Sequence, residues 1–388
     1  MKWTVSGVLK RYGGQYLRQF GETMTAQQKK VLRAVMACRE ESLGTVRYRC
    51  VSCGNQHSLP RSCCNRHCAA CGHDRVQSWL KVQQDRLLPC SYFLITFTVP
   101  SELRAAIMAH PREAYTAMMG AAAETLKESA TNARHVGVKE TGFIGVLHTW
   151  GRDLSYHPHV HFLVPAGGFD SHGQWVASRV SVFVPEQILA VLFRNKLRDR
   201  LRGTACFSQI DPSQWDRTWT VDSTSVGNGK AAMTYLAPYV IRGAVSNWRV
   251  DWCDGSESLD QAMCRLQVKR SGTHQYRGMP LSVRELIRRW LHHVLPAGLH
   301  RVRHYGFLHR CSTRSIEELR LLIAVSLGML HYLLCSEQLV MRKPPAMQCT
   351  QCGGLMISLG YFPPSDVVST GWLDYLCGRA PPEEVEMR

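Results

Sequence analysis

Six cysteines fall between Cys50 and Cys71, in the run CVSCGNQHSLPRSCCNRHCAACG, and they constrain the fold of this stretch more than any other feature constrains the chain. The start, MKWTVSGVLKRYGGQYLRQF, shows neither the apolar core nor the cleavage site of a secretory leader. A reducing compartment keeps thiols free, and clustered free thiols read as metal ligands. Cys50 and Cys53 form one C-x2-C pair, and Cys68 and Cys71 form another. Four thiolates from two such pairs suit a tetrahedral, closed, structural zinc site. Cys63, Cys64, His57 and His67 are spare donors, which leaves room for a second ion or a different ligand set. Arg61, Arg66 and Arg75 beside the pairs make the module a candidate DNA contact. A further pair, Cys349 and Cys352, has no obvious partner pair. Cys377 or a distant histidine would complete it; otherwise its thiols are incidental.

The 388 residues leave room for two or three domains. Lys and Arg number 47 against 30 Asp and Glu, a net charge of +17 with a pI near 9.4. Such a field favours polyanions, either nucleic acid or an anionic membrane surface. The longest apolar stretch, LLIAVSLGMLHYLLCS at 321–336, falls short of the roughly 20 residues a membrane span needs. It reads as a buried helix, and the chain as a cytoplasmic protein.

Periodicity gives a coarse map. Residues 25–40 have helical spacing behind an N-cap at Thr25. YFLITFTV at 92–99 is a buried strand closed by Pro100. Residues 101–133 are helical. GFIGVLHTW at 142–150 and residues 159–164 are strands, joined by a turn with Gly151, Asp153 and Pro158. A helix at 184–202, a strand at 218–223, a helix in KAAMTYLAPYVIRG and two strands between 248 and 270 follow. From about 281 the chain reads as helical and very basic. Without a strict βαβ rhythm, the expected class is α+β with an antiparallel sheet.

One of these strands carries SYHPHVHFLV, with His157, His159 and His161 at alternate positions. Alternate residues of a strand share a face, and three imidazoles are poor core material because each brings two polar nitrogens. A shared metal ion answers both points. His148, at the end of the preceding strand, can lie beside His159 or His161 across a hairpin. It is the expected third ligand, with His157 as rival because Pro158 can break the strand's start. Two or three imidazoles leave coordination positions open, as a catalytic metal requires. Downstream, Tyr235 and Tyr239 stand four apart in TYLAPYVIR. They are either two aromatic core residues at helical spacing or candidate nucleophiles. Arg242 lies one turn after Tyr239 and would favour its phenolate, so Tyr239 is the preferred hydroxyl. Pro238 between them threatens a kink. In the basic region, cations interleave with Trp290, Tyr305 and Phe307. Arg301, Arg303, His304 and Tyr305 there are candidate DNA contacts, cations tracking phosphates while aromatics stack bases.

Taken together, the cysteine pairs, LHTWGRDLSYHPHVHFLVPAGG, YLAPYVIRGAVSN and WLHHVLPAGLHRVRHYGFL resemble the insertion sequence ninety-one family of rolling-circle transposases, within the HUH tyrosine endonuclease superfamily. The resemblance runs from about residue 25 to 355. It implies an HUH-type palm, a central antiparallel sheet flanked by helices, with an N-terminal zinc-binding module and a helical basic C-terminal region. The expected division is 1–45 helical, 46–80 zinc-binding, 85–280 catalytic, and 281–388 basic. The resemblance implies that Tyr235 or Tyr239 attacks single-stranded transposon-end DNA and holds a 5′-phosphotyrosine. His159, His161 and a third ligand would hold Mg²⁺ or Mn²⁺. Partners would be transposon-end and target DNA. Two other readings stay open: an HUH replication initiator or relaxase, and a non-catalytic zinc-ribbon DNA binder whose tyrosines tolerate phenylalanine.

Overall fold

The computed structural model describes residues 3–71, 73–178, 183–241, 243–270, 273, 275–329 and 347–364, apart from the side chains of residues 73–75, 77, 78, 238, 239 and 241. The chain opens with helices α1 (Val5–Phe20) and α2 (Ala26–Met36) and strands β1 (Thr45–Cys50) and β2 (Gln56–Pro60). Helix α3 (His73–Gln84) leads to β3 (Tyr92–Thr98), then α4 (Arg104–Ala109) and α5 (Pro111–Thr131). A long hairpin follows, β4 (Gly142–Trp150) and β5 (Tyr156–Pro165), then a short one, β6 (Gly167–Phe169) and β7 (Trp175–Ala177). Next come α6 (Glu186–Leu201), α7 (Ala205–Ser208), β8 (Val221–Ser225) and α8 (Lys230–Ile241). Strands β9 (Val250–Cys253), β10 (Met263–Lys269) and β11 (Tyr276–Ser282) precede α9 (Val283–His292). The remaining described elements are β12 (Val302–Gly306), α10 (Ile316–Ser326) and β13 (Met356–Phe362).

These elements form two compact units that do not follow the linear division expected from sequence. The first joins residues 1–73, 245–294 and 338–388; the second joins 74–244 and 295–337. Residues 245–280, expected in the catalytic domain, therefore belong with the N-terminal segment. Residues 295–337, expected in the basic C-terminal region, complete the second unit.

In the first unit, Thr4 caps α1 and Thr25 forms a full capping box with Gln28 on α2. Gln28 also donates from Nε2 to the Leu291 carbonyl at 3.1 Å, tying α2 to the end of α9. A Cβ on Gly13 would meet Met36 Sδ at 2.7 Å, so this glycine lets α1 and α2 approach closely. Two three-stranded antiparallel sheets complete the unit, in the orders β13-β1-β2 and β11-β10-β9. Helix α9 is basic outside and apolar inside. Glu285 bridges to Arg288 and Arg289 at 2.6 and 2.7 Å, while Trp290 is buried with Leu286 and Ile287. Trp290 is thus core rather than a platform for a base.

The second unit is built on a five-stranded antiparallel sheet in the order β12-β4-β5-β3-β8, with β5 at its centre. Phe93, Ile95, Phe97, Phe143, Leu147, Val160, Phe162 and Val164 line one face, where α4, α5 and α6 supply the rest of a large apolar core. Ile144, Val146 and Leu163 line the other face against Ala232, Met233, Leu236 and Val240 of α8 and Leu319 and Ile323 of α10. Among the described residues no helix is long and apolar enough to cross a membrane. α10 covers only the start of the apolar stretch 321–336, and residues 330–336 lie outside the described set.

Two expectations change here. Residues 301–306, read as part of a helical region, form strand β12, paired with β4 from Val302↔Val146 to Gly306↔Gly142. Gly306 closes this strand at φ +56°, where a Cβ would lie 1.6 Å from the Thr141 carbonyl oxygen, so only glycine fits. Pro158 does not break its strand. The pairing shifts register between His148 and Trp150, and Pro158 sits in that irregularity, where a missing N–H is tolerated.

Candidate active site

The sheet register places three imidazoles together. His148 on β4 pairs directly with His159 on β5, and His161 follows two residues on. Ring centroids lie 5.2 Å apart for His148–His159, 4.4 Å for His148–His161 and 4.8 Å for His159–His161. One donor nitrogen from each falls within 4.8 Å of the others. His157 reaches His159 ring to ring at 5.0 Å but is not part of this group. Its contribution is its backbone: the His157 carbonyl accepts from His159 Nδ1 at 2.7 Å. That bond puts the His159 proton on Nδ1 and leaves Nε2 with its lone pair.

Thr96 on β3 faces His161, its partner in the ladder, and Oγ1 lies 2.8 Å from His161 Nδ1. His161 is only 6% exposed, and its Nε2 is buried with no hydrogen-bond partner. A buried polar atom left this way is expensive unless a ligand completes it. Burial pushes His161 down to about 3 and His159 to about 4. His148 is also held well below its ordinary value, first by burial and then by His161, His159 and Arg301. All three are therefore neutral at physiological pH, the form that ligates a metal. An all-nitrogen donor set with an orphaned Nε2 fits a divalent cation with open positions.

Sequence reading missed two supports of this cluster. Thr96 was legible only as one more alternating residue of a strand. Trp150 stacks on His148, with centroids 5.5 Å apart and planes 17° from parallel, and the Arg301 guanidinium lies 5.5 Å from the Trp150 centroid. Arg301 is buried, and its carbonyl accepts from the Leu147 amide at 2.9 Å. It therefore supports the histidine cluster, whereas sequence had placed it on a DNA-facing surface. Tyr305 likewise packs inward, 5.3 Å from Phe143 and 5.8 Å from Phe162. Arg303 and His304 are half-buried on the same edge strand, His304 Nε2 lying 3.4 Å from Gln83 Oε1. Alternation along a sheet edge, unlike a helix surface, turns every second side chain into a core.

Helix α8 brings a hydroxyl to the histidines. Its apolar residues Ala232, Met233, Leu236 and Val240 seat it on the sheet, and Tyr235 stands over His161. The two rings are 6.1 Å apart and edge-on, and Tyr235 is 48% exposed. Helical geometry runs on through Pro238 to Ile241. Tyr239 lies one turn further along α8, but its side chain falls outside the described residues, as does Arg242. The preference for Tyr239 rested on those two groups.

The cysteines gather differently from the expected set. Cys68 and Cys71 join Cys38 and Cys63, with Cys38–Cys71 at 3.1 Å and Cys63–Cys71 at 3.6 Å between sulfurs. Cys50 and Cys53 instead join Cys349 and Cys352. The physical reason is strand pairing. β1 carries Cys50 into a sheet with β13, which brings the distant pair alongside. Cys38, at the end of α2, stands alone in the sequence and gave no spacing to read. Cys377 lies outside the described residues, and His67, although buried, belongs to neither group. Hydrogen bonds from Cys38, Cys63 and Cys68 hold the Cys71 thiol down while Cys63 and Cys68 are pushed up, and the Cys352 and Gln351 amides hold Cys349 to about 6 while Cys352 is pushed up, so within each group the sulfurs share protons. Four sulfurs this close suit zinc.

Comparison with known proteins agrees with this architecture. The transposase zinc-binding domain family matches residues 8–99, and a family described as putative transposase matches residues 142–315. The chain is 34% identical over 344 residues to the putative transposase y4qJ of Sinorhizobium fredii, covering 83% of this chain and 84% of that one. It is 28% identical over 294 residues to the transposase for insertion sequence element IS801 of Pseudomonas savastanoi pv. phaseolicola, covering 71% and 68%. No solved structure matches the chain. Architecture and likeness together define a transposase with a zinc-binding domain. The chain belongs to the insertion sequence ninety-one (IS91) family of transposases.

Proposed function

We propose that this transposase is an HUH-type tyrosine endonuclease and strand transferase, cleaving and rejoining single-stranded transposon-end DNA in a rolling-circle reaction. The observation that carries this reading is the Tyr235 ring, half-exposed and 6.1 Å from His161, over a cluster of three neutral imidazoles. Tyr235 Oη attacks the scissile phosphorus. A P–O bond to tyrosine forms as the phenol gives up its proton to solvent, the bond to the 3′ oxygen breaks, and that oxygen takes up a proton from solvent to leave as a 3′-OH. The chain keeps a 5′-phosphotyrosine, which conserves the ester for attack by another 3′-OH. His148, His159 and His161 would hold Mg²⁺ or Mn²⁺, which polarises the phosphoryl oxygen and offsets developing charge when bound. The His157 carbonyl fixes the His159 tautomer, and the Thr96 hydroxyl orients the His161 ring. Tyr239, on the same helix, is the candidate second nucleophile for the target strand or a second round. The net charge of +17 favours the polyanionic substrate. The site of action would be cellular DNA in the bacterial cytoplasm.

The test is a cleavage assay with labelled single-stranded oligonucleotides covering the element's ends, with Mg²⁺ or Mn²⁺. A metal-dependent covalent adduct, absent from Tyr235→Phe/Tyr239→Phe, supports the reading, and the single variants assign the first attack. Specific binding to correct ends without any adduct would sink the catalytic claim.

A further inference from the structure

We infer that the chain holds a second structural zinc ion, bound by Cys50 and Cys53 from its N-terminal part and by Cys349 and Cys352 from far downstream. The zinc-binding family match ends at residue 99, so half of this donor set lies outside the segment to which that match assigns zinc. Cys50 and Cys352 are 302 residues apart in the chain, and their sulfurs are 3.4 Å apart; Cys53 and Cys349 approach to 3.7 Å. Zinc–sulfur bonds of about 2.3 Å in a tetrahedron put sulfurs about 3.8 Å apart. A disulfide would need about 2.05 Å, and all four cysteines are free.

The two halves are built alike. Each is a C-x2-C-G turn whose glycine takes φ +73°. In the first, the Gly54 amide donates to the Cys50 carbonyl at 3.1 Å and the Cys50 amide to the Asn55 carbonyl at 2.8 Å. In the second, the Gly353 amide donates to the Cys349 carbonyl at 2.9 Å and the Cys349 amide to the Gly354 carbonyl at 2.8 Å. One backbone shape thus occurs twice, with the paired sulfurs turned toward one another. Strand pairing runs into the site, since β1 and β13 pair from Thr45↔Phe362 to Cys50↔Met356 with one register shift between Arg47 and Tyr48.

Packing alone does not account for this arrangement. Among the described residues, the buried cluster at this end is Cys50, Cys349 and Met356, with Tyr48 and Met347 partly covered. On β13, Ile357, Leu359 and Tyr361 are exposed. A sheet with so little apolar burial needs another source of stability, and a four-thiolate ion supplies one.

The experiment is zinc stoichiometry on the purified full chain by mass spectrometry of metal content. Cys349→Ser/Cys352→Ser should lose one zinc relative to wild type. Cys50→Ser/Cys53→Ser should lose one as well. The quadruple variant should lose one, not two, because both pairs hold the same ion. Adding Cys38→Ser/Cys68→Ser should remove a further ion. A second measurement uses no substitution. In the zinc-loaded chain, Cys50, Cys53, Cys349 and Cys352 should resist alkylation together and become reactive together as a chelator is added. Full zinc retention in Cys349→Ser/Cys352→Ser, a greater loss in the quadruple variant than in either pair variant, or free alkylation of Cys349 and Cys352 in the loaded protein would each overturn the inference.

Discussion

The histidine cluster and the cysteine tetrads solve the same problem, bringing metal donors together, by opposite routes. The histidines use one hairpin, where a spacing of two along β5 and the pairing with β4 fix the geometry within a few residues. The cysteines use tertiary pairing, where a C-x2-C unit fixes only half a site and the fold chooses the other half. Metal-site halves are local information, whereas their partnering is not. The two sites also differ in what a metal would do for them. The sheet beneath the histidines is covered on both faces by apolar side chains, which hold it by packing. Around Cys50 and Cys349, by contrast, the described residues bury only a small apolar cluster.

This contrast can be broken by experiment. The largest effect is expected from Cys38→Ser/Cys68→Ser. Structural zinc contributes about 10–16 kcal/mol, comparable with the whole stability of a domain at about 5–15 kcal/mol. The zinc-binding unit should unfold, seen as lost circular dichroism and a lost thermal transition. Next is Tyr235→Phe. If Tyr235 leads, cleavage of donor-end DNA should fall by about 10⁴-fold or more, while stability stays within about 0.5 kcal/mol of wild type at this half-exposed position. A large shift in melting temperature would instead mark Tyr235 as a core residue.

A smaller effect is expected from Thr96→Val, which removes the hydroxyl beside His161 Nδ1. Loss of such an outer partner lowers metal affinity by about 10–100-fold, measurable by Mn²⁺ titration, with the melting temperature of the metal-free protein little changed. The smallest and most specific is a pH dependence. His159 and His161 titrate near 4 and 3 in the folded chain, depressed by burial, against about 6.5 unfolded. Below 6.5 the unfolded state takes up protons that the folded state refuses. Their stability contribution is therefore complete above 6.5 and lost as pH falls through about 4 to 3. Mn²⁺ binding at the cluster should persist between pH 6.5 and 5, where ordinary imidazoles release metal. Half-loss of binding near 6.5 would contradict the burial argument.

Much of the second unit was readable in advance. Strand β4 matches its expected bounds, and β3 and α6 fall within two residues, because their apolar runs were long and bounded by turns and prolines. Strand β8 starts three residues later than expected, at Val221, although Trp219 and Val221 already alternate with polar residues. The single helix expected over 101–133 is two, because Pro111 starts a new helix behind His110 at ψ +56°. β12 was hidden by composition: its two large apolar residues, Val302 and Tyr305, stand three apart with Arg303 and His304 between them, so the segment shows no period of two. Of the candidate site, alternating histidines announced themselves, as did the tyrosine helix. Thr96 and Trp150 did not, since their importance comes only from what the register sets beside them.

The order of strands in the β13-β1-β2 sheet has a consequence for synthesis on the ribosome. β1 emerges early, but the neighbour that completes its pairing is some 300 residues away and arrives only after the whole second unit has been made. Since domains fold as units during translation, the second unit can finish folding while β1 still presents an open edge. A nascent chain stopped between residues 338 and 348 would contain every histidine and tyrosine of the proposed active site, yet lack the strand that closes its first sheet.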